Sequence, residues 1–210
     1  MDISATVGEK AAALLTTPGA AKWYRSAGPW ARQRISLATK GVLEWLPQAT
    51  IVFDGALADA ELEADLGADA GLIGWDIVCL GRTGSGERFS KGSYRFSMAV
   101  RRKRKLLWME RGRVDGGGRL LQSPAGLGSH PVFGTLFASF PQMDRDVVDS
   151  VRRAKPGDGE GSVTVLPGVL LARYLGDSGE AARQYFIALW RIVRPALAGR
   201  EACEPRIWGT

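Results

Sequence analysis

The stretch Tyr94-Arg95-Phe96-Ser97-Met98-Ala99-Val100 carries large apolar residues at alternate positions. Successive side chains of a β-strand point to opposite faces, so this pattern is typical of a strand with one buried and one solvated face. The same alternation occurs in Ile35-Ser36-Leu37 and in Leu62-Glu63-Ala64-Asp65-Leu66. Glycine-rich breaks such as Gly81-Arg82-Thr83-Gly84 and Asp115-Gly116-Gly117-Gly118 supply the tight turns between strands. The pattern therefore predicts an all-β fold made of many short strands.

The last quarter of the sequence follows a helical period instead. Asp177-Ser178-Gly179-Glu180 resembles a capping box, and the apolar residues of the segment 182–193 recur at spacings of three and four. Pro195 should kink or restart this helix, and Gly199 can cap it. A shorter helix is predicted over residues 144–153. We therefore expect one or two α-helices near the C-terminus, packed on the β core.

Length and composition are those of a soluble globular protein. The 210 residues, 45% hydrophobic and 24% charged, fit one domain, and we predict a single domain over residues 1–210. The net charge of +6 suits an acidic partner or nucleic acid, but it is also a common way of staying in solution. The sequence shows neither a secretory signal nor an apolar run of membrane-spanning length. We expect a cytoplasmic protein that has no contact with a membrane.

Histidine and cysteine are scarce in this chain. One histidine, His130, and two cysteines, Cys79 and Cys203, exclude a Cys/His zinc cluster and a disulfide framework. His130 is the only imidazole available to a Ser-His-Asp triad, and because no Gly-x-Ser-x-Gly motif is present we favour a local structural role for it. The run 81–87 (GRTGSGE) lacks the lysine of a phosphate-binding loop, and Glu87 would repel phosphate. A binding or scaffold role therefore outranks catalysis, and we predict that the protein is not an enzyme.

Residues 101–105 (RRKRK) form a basic block between two predicted strands. Three interpretations remain open: the solvated tip of a hairpin, a site for an acidic protein partner, and a site for nucleic acid. The hairpin tip is favoured. Nucleic acid is the least favoured because no aromatic residue is interleaved with the basic ones for base stacking. A basic nucleic-acid-binding module is nevertheless the alternative function that the residues leave open.

Four motifs, in order along the chain, resemble the UreD family of urease accessory proteins, called UreH in some species. They are residues 15–26 (LTTPGAAKWYRS), 46–56 (LPQATIVFDGA), 81–89 (GRTGSGERF), and a C-terminal set at 172–176 (ARYLG), 189–191, 194–195 and 205–208 (PRIW). The resemblance implies a β-rich, roughly β-helical stack of strands with helices near the C-terminus. It also implies that residues 1–210 form a single UreD-like domain that is N-terminally incomplete relative to the family.

The resemblance further implies a non-enzymatic chaperone that helps to load nickel into the urease active site. Its expected partners are apo-urease and two accessory proteins, UreF and the GTPase UreG. No cofactor is expected to be held tightly, and nickel would pass in transit along a polar channel. We predict Asp76, Glu87 and Glu110 as lining residues of that channel, although each could equally be an ordinary strand or turn carboxylate. The family-motif or partner-binding residues are Lys22, Tyr24, Arg25, Arg82, Glu87, Arg173, Tyr174, Arg206 and Trp208.

Overall fold

Two β-sheets packed face to face form the framework of the molecule. The structure is a computed structural model, and it describes residues 1–209. In chain order the strands are β1 (Asp2–Val7), β2 (Ala12–Leu15), β3 (Ala21–Trp23), β4 (Ala31–Thr39), β5 (Val42–Trp45), β6 (Thr50–Val52), β7 (Leu57–Leu66), β8 (Gly71–Leu80), β9 (Ser93–Arg102), β10 (Lys105–Asp115), β11 (Val132–Ser139), β12 (Glu160–Leu166) and β13 (Val169–Gly176). The first sheet has the order β1-β4-β7-β9-β10. The second has the order β12-β13-β11-β8-β5-β2, with β6 paired to β8 and β3 paired to β6.

The two halves of the chain pair their strands differently. The early strands cross from one sheet to the other and stack on their successors in parallel, as β1 does on β4 and β2 on β5. The corners of this stack are tight: a Cβ on Gly41 would lie 2.1 Å from the carbonyl oxygen of Ala11, so no side chain fits there. β9 still pairs in parallel with β7, but from β10 onward the new pairs are antiparallel: β9 with β10, β8 with β11, β11 with β13, and β13 with β12. Both sheets are therefore mixed.

Three α-helices accompany the strands within residues 1–209: α1 (Arg119–Gln122), α2 (Arg145–Arg153) and α3 (Gly179–Ala198). The two predicted helices are confirmed as α2 and α3. The hydroxyl of Ser178 caps α3 by accepting from the N–H of Ala181 at 3.2 Å, and Gly199 ends it in the left-handed conformation. Pro195 lies inside α3 and does not end it. None of the described helices combines the length and the apolar character that crossing a bilayer requires.

The apolar core lies in two spaces, one between the sheets and one between the second sheet and α3. On its outer side the second sheet presents Trp75, Ile77 and Leu136 to Phe186 and Trp190 of α3. Between the sheets, two further hydrophobic clusters lie at different heights along the strands. The odd-numbered residues of β8 therefore serve the helix side, and its even-numbered residues serve the space between the sheets.

The prediction of an all-β, roughly β-helical stack is wrong. The structure is a mixed α and β fold in which strands dominate, with two mixed sheets and three helices. Two physical features account for the difference. The parallel stacking gives way to antiparallel pairing in the second half of the chain, and α3 contributes eight buried residues to the core rather than decorating its surface.

Candidate functional site

A layer of polar side chains divides the space between the two sheets. It consists of Thr50, Asp76, Glu110, Thr135 and Arg173, and we call it the polar layer. Positions two residues away along the same strands belong to the hydrophobic clusters on either side: Val78, Trp108, Phe137 and Leu171. Because neighbouring positions on the same face are apolar, the sequence interrupts an otherwise continuous core at this height.

Strand register assembles the polar layer. Thr135 on β11 lies directly opposite Asp76 on β8 and directly opposite Arg173 on β13, so the three side chains share one face of the second sheet. Glu110 reaches them from β10 of the facing sheet. Arg173 Nη1 donates to Thr135 Oγ1 at 3.0 Å and to the carboxylate of Glu110, and Thr135 Oγ1 donates to Glu110 Oε2 at 3.5 Å. Two of the three carboxylates predicted from sequence, Asp76 and Glu110, are thus brought together.

Asp76 is the charged residue of the layer whose charge is least offset by its neighbours. It lies deep among protein atoms, although part of its surface stays accessible. Burial raises its pKa to about 6, the negative charge of Glu110 acts in the same direction, and a 3.5 Å hydrogen bond from Thr50 opposes both. The side chain is held in a position that disfavours its charged form.

Tyr94 is a second buried polar residue that interacts electrostatically with Asp76. The hydroxyl of Tyr94 is buried and has no hydrogen-bond partner among the described residues. Burial and the charge of Asp76 both raise the pKa of Tyr94.

A cavity of about 310 Å³ reaches the polar layer from outside. Its walls include Glu110, Thr135 and Arg173, together with the rings of Phe96 and Phe133. The carboxylates and hydroxyls of the layer offer oxygen ligands to a hydrated divalent cation. Within residues 1–209 no group of three or more His, Cys, Asp and Glu side chains is arranged to hold a metal ion. The layer can offer a cation two carboxylates, from Asp76 and Glu110.

Glu87, the third predicted carboxylate, lies apart from the polar layer. It follows a 3₁₀ turn (Thr83–Ser85) and accepts hydrogen bonds from the side chain and the N–H of Arg82, which lower its pKa. The guanidinium of Arg82 lies 5.2 Å from the centre of the Phe53 ring. The ring of Tyr24 also stacks on Phe53, with 4.9 Å between the ring centres. Tyr24 is 69% exposed. We call Tyr24, Arg25, Phe53, Arg82 and Glu87 the aromatic–arginine corner.

The remaining motif residues occupy different environments. Lys22 and Arg206 are exposed, whereas Tyr174 and Trp208 are buried. Trp208 packs against Trp75 and donates from its indole N–H to Thr16 Oγ1 at 2.8 Å. Partner contacts of the motif residues remain predictions.

His130 and the basic block also have defined places. His130 Nδ1 is hydrogen-bonded to Asp177 Oδ1 at 2.9 Å, which ties its loop to the start of α3, and among the described residues no nucleophile bonds to the ring. Lys103 and Arg104 form the turn between β9 and β10, so the block is a hairpin tip. Arg102 is directed inward, where it donates to the carbonyls of Gly67, Ala68 and Ala70.

Comparison with known proteins identifies the family. The family model described as UreD urease accessory protein matches residues 1–209. Urease accessory protein UreD of Dechloromonas aromatica is 51% identical over 214 residues, covering 99% of this chain and 74% of the relative. The proteins of the same name from Azoarcus sp. and Pseudomonas aeruginosa are 47% and 53% identical, covering 99% and 97% of this chain and 74% and 73% of the relatives. The chain therefore belongs to the UreD family of urease accessory proteins, and its role lies in urease maturation.

Proposed function

We propose that the chain is a non-enzymatic chaperone that passes nickel toward the active site of urease, with the polar layer as the route. The single observation that carries this proposal is Asp76, a largely buried carboxylate that lies in the polar layer with a second carboxylate, Glu110. Such an arrangement does not serve packing, because its charged form is disfavoured. It does place negative charge between two apolar clusters of the core.

The chemistry of the layer suits transport better than storage. Ni²⁺ binds imidazole and thiolate tightly, and it binds carboxylates and water more weakly. The layer contains carboxylates and hydroxyls, while the only imidazole of the chain, His130, is bonded to Asp177 elsewhere. A cation held by oxygen ligands and water can be released to the next protein without a large barrier.

The proposed partners are apo-urease and the accessory proteins UreF and UreG. The aromatic–arginine corner supports a protein contact, because exposed tyrosine and arginine dominate the energetics of many interfaces. Tyr24 there is 69% exposed and its ring is already held in place by Phe53. A side chain that is fixed before binding loses little conformational entropy when a partner covers it.

Replacing Tyr24 with alanine should weaken copurification of this chain with its accessory partners, because the exposed ring of the corner is lost. The measurement is the amount of each partner retained by the tagged chain from cells that express the urease genes. Met109, 40% exposed on β10, gives the matched control Met109→Ala. If the two variants and the unchanged chain retain equal amounts of each partner, the aromatic–arginine corner is not part of the interface.

Expression of the urease genes with and without this chain tests the proposed function. Urease purified from cells that contain the chain should carry nickel and hydrolyse urea, and urease from cells without it should do neither to the same extent. The UreD of Pseudomonas aeruginosa serves as the positive control. Equal nickel content and equal hydrolysis in the two preparations would contradict the proposal.

A further inference from the structure

Arg173 lies between the cavity and Asp76. The order of strands β13, β11 and β8 places Arg173, Thr135 and Asp76 in a row across the second sheet. The cavity is bordered by Arg173, Thr135 and Glu110, whereas Asp76 is not among its walls. A cation that moves along this row from the cavity to Asp76 passes the Arg173–Glu110 ion pair.

The guanidinium of Arg173 occupies the acceptor atoms that an entering cation would need. Its Nη1 donates both to the carboxylate of Glu110 and to Thr135 Oγ1. The remaining carboxylate, Asp76, receives only the long hydrogen bond from Thr50 among side chains. At the outer end of the layer the ligands are thus taken by a cation that belongs to the protein itself.

Charge places the two cations in competition. The carboxylates of Asp76 and Glu110 together balance one divalent cation, and the additional positive charge of Arg173 would repel it. When Arg173 stays on Glu110, only one carboxylate remains for the entering ion. Occupation of the layer by a divalent cation therefore favours a conformation in which the guanidinium has moved away.

Arg173 is able to move without disturbing the core. Its side chain is 42% exposed, while that of Glu110 is 19% exposed. Ion pairs with such exposure are held by a modest free energy because water can solvate the released guanidinium. Rotation of the long side chain toward solvent would leave Thr135 and Glu110 facing the cavity.

We propose that Arg173 is a gate: a tethered cation that closes the outer end of the polar layer and must leave Glu110 before a divalent metal ion can enter. This inference rests on the proposed function, since it concerns the regulation of the same route. Arg173 acts here by competing with the metal ion for Glu110 and Thr135. Its removal should therefore strengthen metal binding, which a merely structural role would not do.

Titration of the full chain with nickel sulfate, followed by calorimetry, measures this competition. Arg173→Gln should bind Ni²⁺ about tenfold more tightly than the unchanged chain, because the competing charge is gone. Arg173→Lys keeps the charge and Arg111→Gln removes an exposed arginine from β10, so both should bind like the unchanged chain. Adding Glu110→Gln to Arg173→Gln should abolish the gain. Binding by Arg173→Gln that is no tighter than that of the unchanged chain would overturn the gate.

Two further variants separate failure of the gate from failure of the route. Asp76→Asn and Glu110→Gln should each weaken nickel binding. If both do so while Arg173→Gln brings no gain, the gate is wrong and the route stands. If neither changes nickel binding, the layer is not the route, and both proposals are wrong.

A structure of the unchanged chain with nickel bound tests the proposed gate even if a variant fails to fold. The gate predicts that Arg173 has turned away from Glu110 and that Glu110 contacts the metal ion or its water. Nickel bound in the layer with Arg173 still on Glu110 would overturn it.

Discussion

Replacement of Glu44 by alanine should lower the free energy of unfolding by about 3 kcal/mol, because it leaves a largely buried cation without its carboxylate partner. Glu44, 3% exposed on β5, accepts a hydrogen bond from the indole N–H of Trp190 at 2.6 Å and two from Arg194 Nε at 3.0 Å. These contacts join α3 to the second sheet. In the variant, the indole N–H and the guanidinium would both lose a buried acceptor.

Urea denaturation followed by far-ultraviolet circular dichroism measures this loss. Glu44→Gln keeps an acceptor oxygen and the volume of the side chain, so it should be less damaging than Glu44→Ala. Glu61→Ala removes an ion pair to Arg34 whose side chain is 51% exposed, and it should change stability by less than about 1 kcal/mol. If Glu44→Ala were no more destabilising than Glu61→Ala, the anchoring role of Glu44 would be disproved.

Replacement of Asp76 by asparagine should stabilise the chain at pH 8 by about 3 kcal/mol and have little effect below about pH 4. The pKa of Asp76 is about 6 in the folded chain and about 4 in an unfolded one. The folded state therefore binds the proton more tightly, and the stability that Asp76 contributes when protonated is lost as pH rises from about 4 through 6. Asparagine cannot ionise, and it can still accept the hydrogen bond from Thr50.

Unfolding free energies at pH 5 and pH 8 test this prediction. The difference between Asp76→Asn and the unchanged chain should be larger at pH 8. Asp65→Asn makes the same chemical change at an exposed position of β7 and should show no such dependence. An equal difference at both pH values would contradict the assigned environment of Asp76. A carboxylate that weakens the fold at neutral pH calls for another role, and binding of a cation provides one.

Whether a strand residue faces the core or solvent could be predicted from sequence. Which strands pair with each other could not. Alternation places Phe96 and Met98 on the inner face of β9, as the structure shows. It contains no information on which strand lies alongside, and the parallel pairs join residues far apart in sequence, as Asp2 and Arg34. The change from parallel to antiparallel pairing was therefore not visible, and the prediction of fold class failed there.

The helices were predictable because their signals are local. The spacing of apolar residues and the C-terminal Gly199 both predict α3. The predicted capping box is only partly formed: Ser178 caps the helix, while the carboxylate of Glu180 accepts hydrogen bonds from Arg183 and Gln184. Side chains in the first turn have several donors within reach, and sequence does not decide among them.

Of the five residues of the polar layer, only Asp76 and Glu110 were predicted as channel-lining residues, and Arg173 was predicted as a family-motif or partner-binding residue. Asp76 is the single charge in the apolar strand β8, and Glu44 is the single charge in β5. An isolated charge in an apolar strand is therefore a usable signal, which we applied to neither residue. Thr50 and Thr135 give no such signal, because threonine is common in strands of every kind. Only the register between β8, β11 and β13 shows that Thr135 joins Asp76 to Arg173.

The nickel content of urease matured with a chain that carries both Asp76→Asn and Glu110→Gln tests the central claim most directly. The double variant Asp65→Asn with Glu160→Gln makes the same chemical changes at exposed positions and serves as the control. If nickel passes through the polar layer, urease matured with the first variant should contain little more nickel than urease matured without the chain, and the control should load normally. Full nickel content with the first variant, in a chain that is folded and present at normal level, would contradict the account.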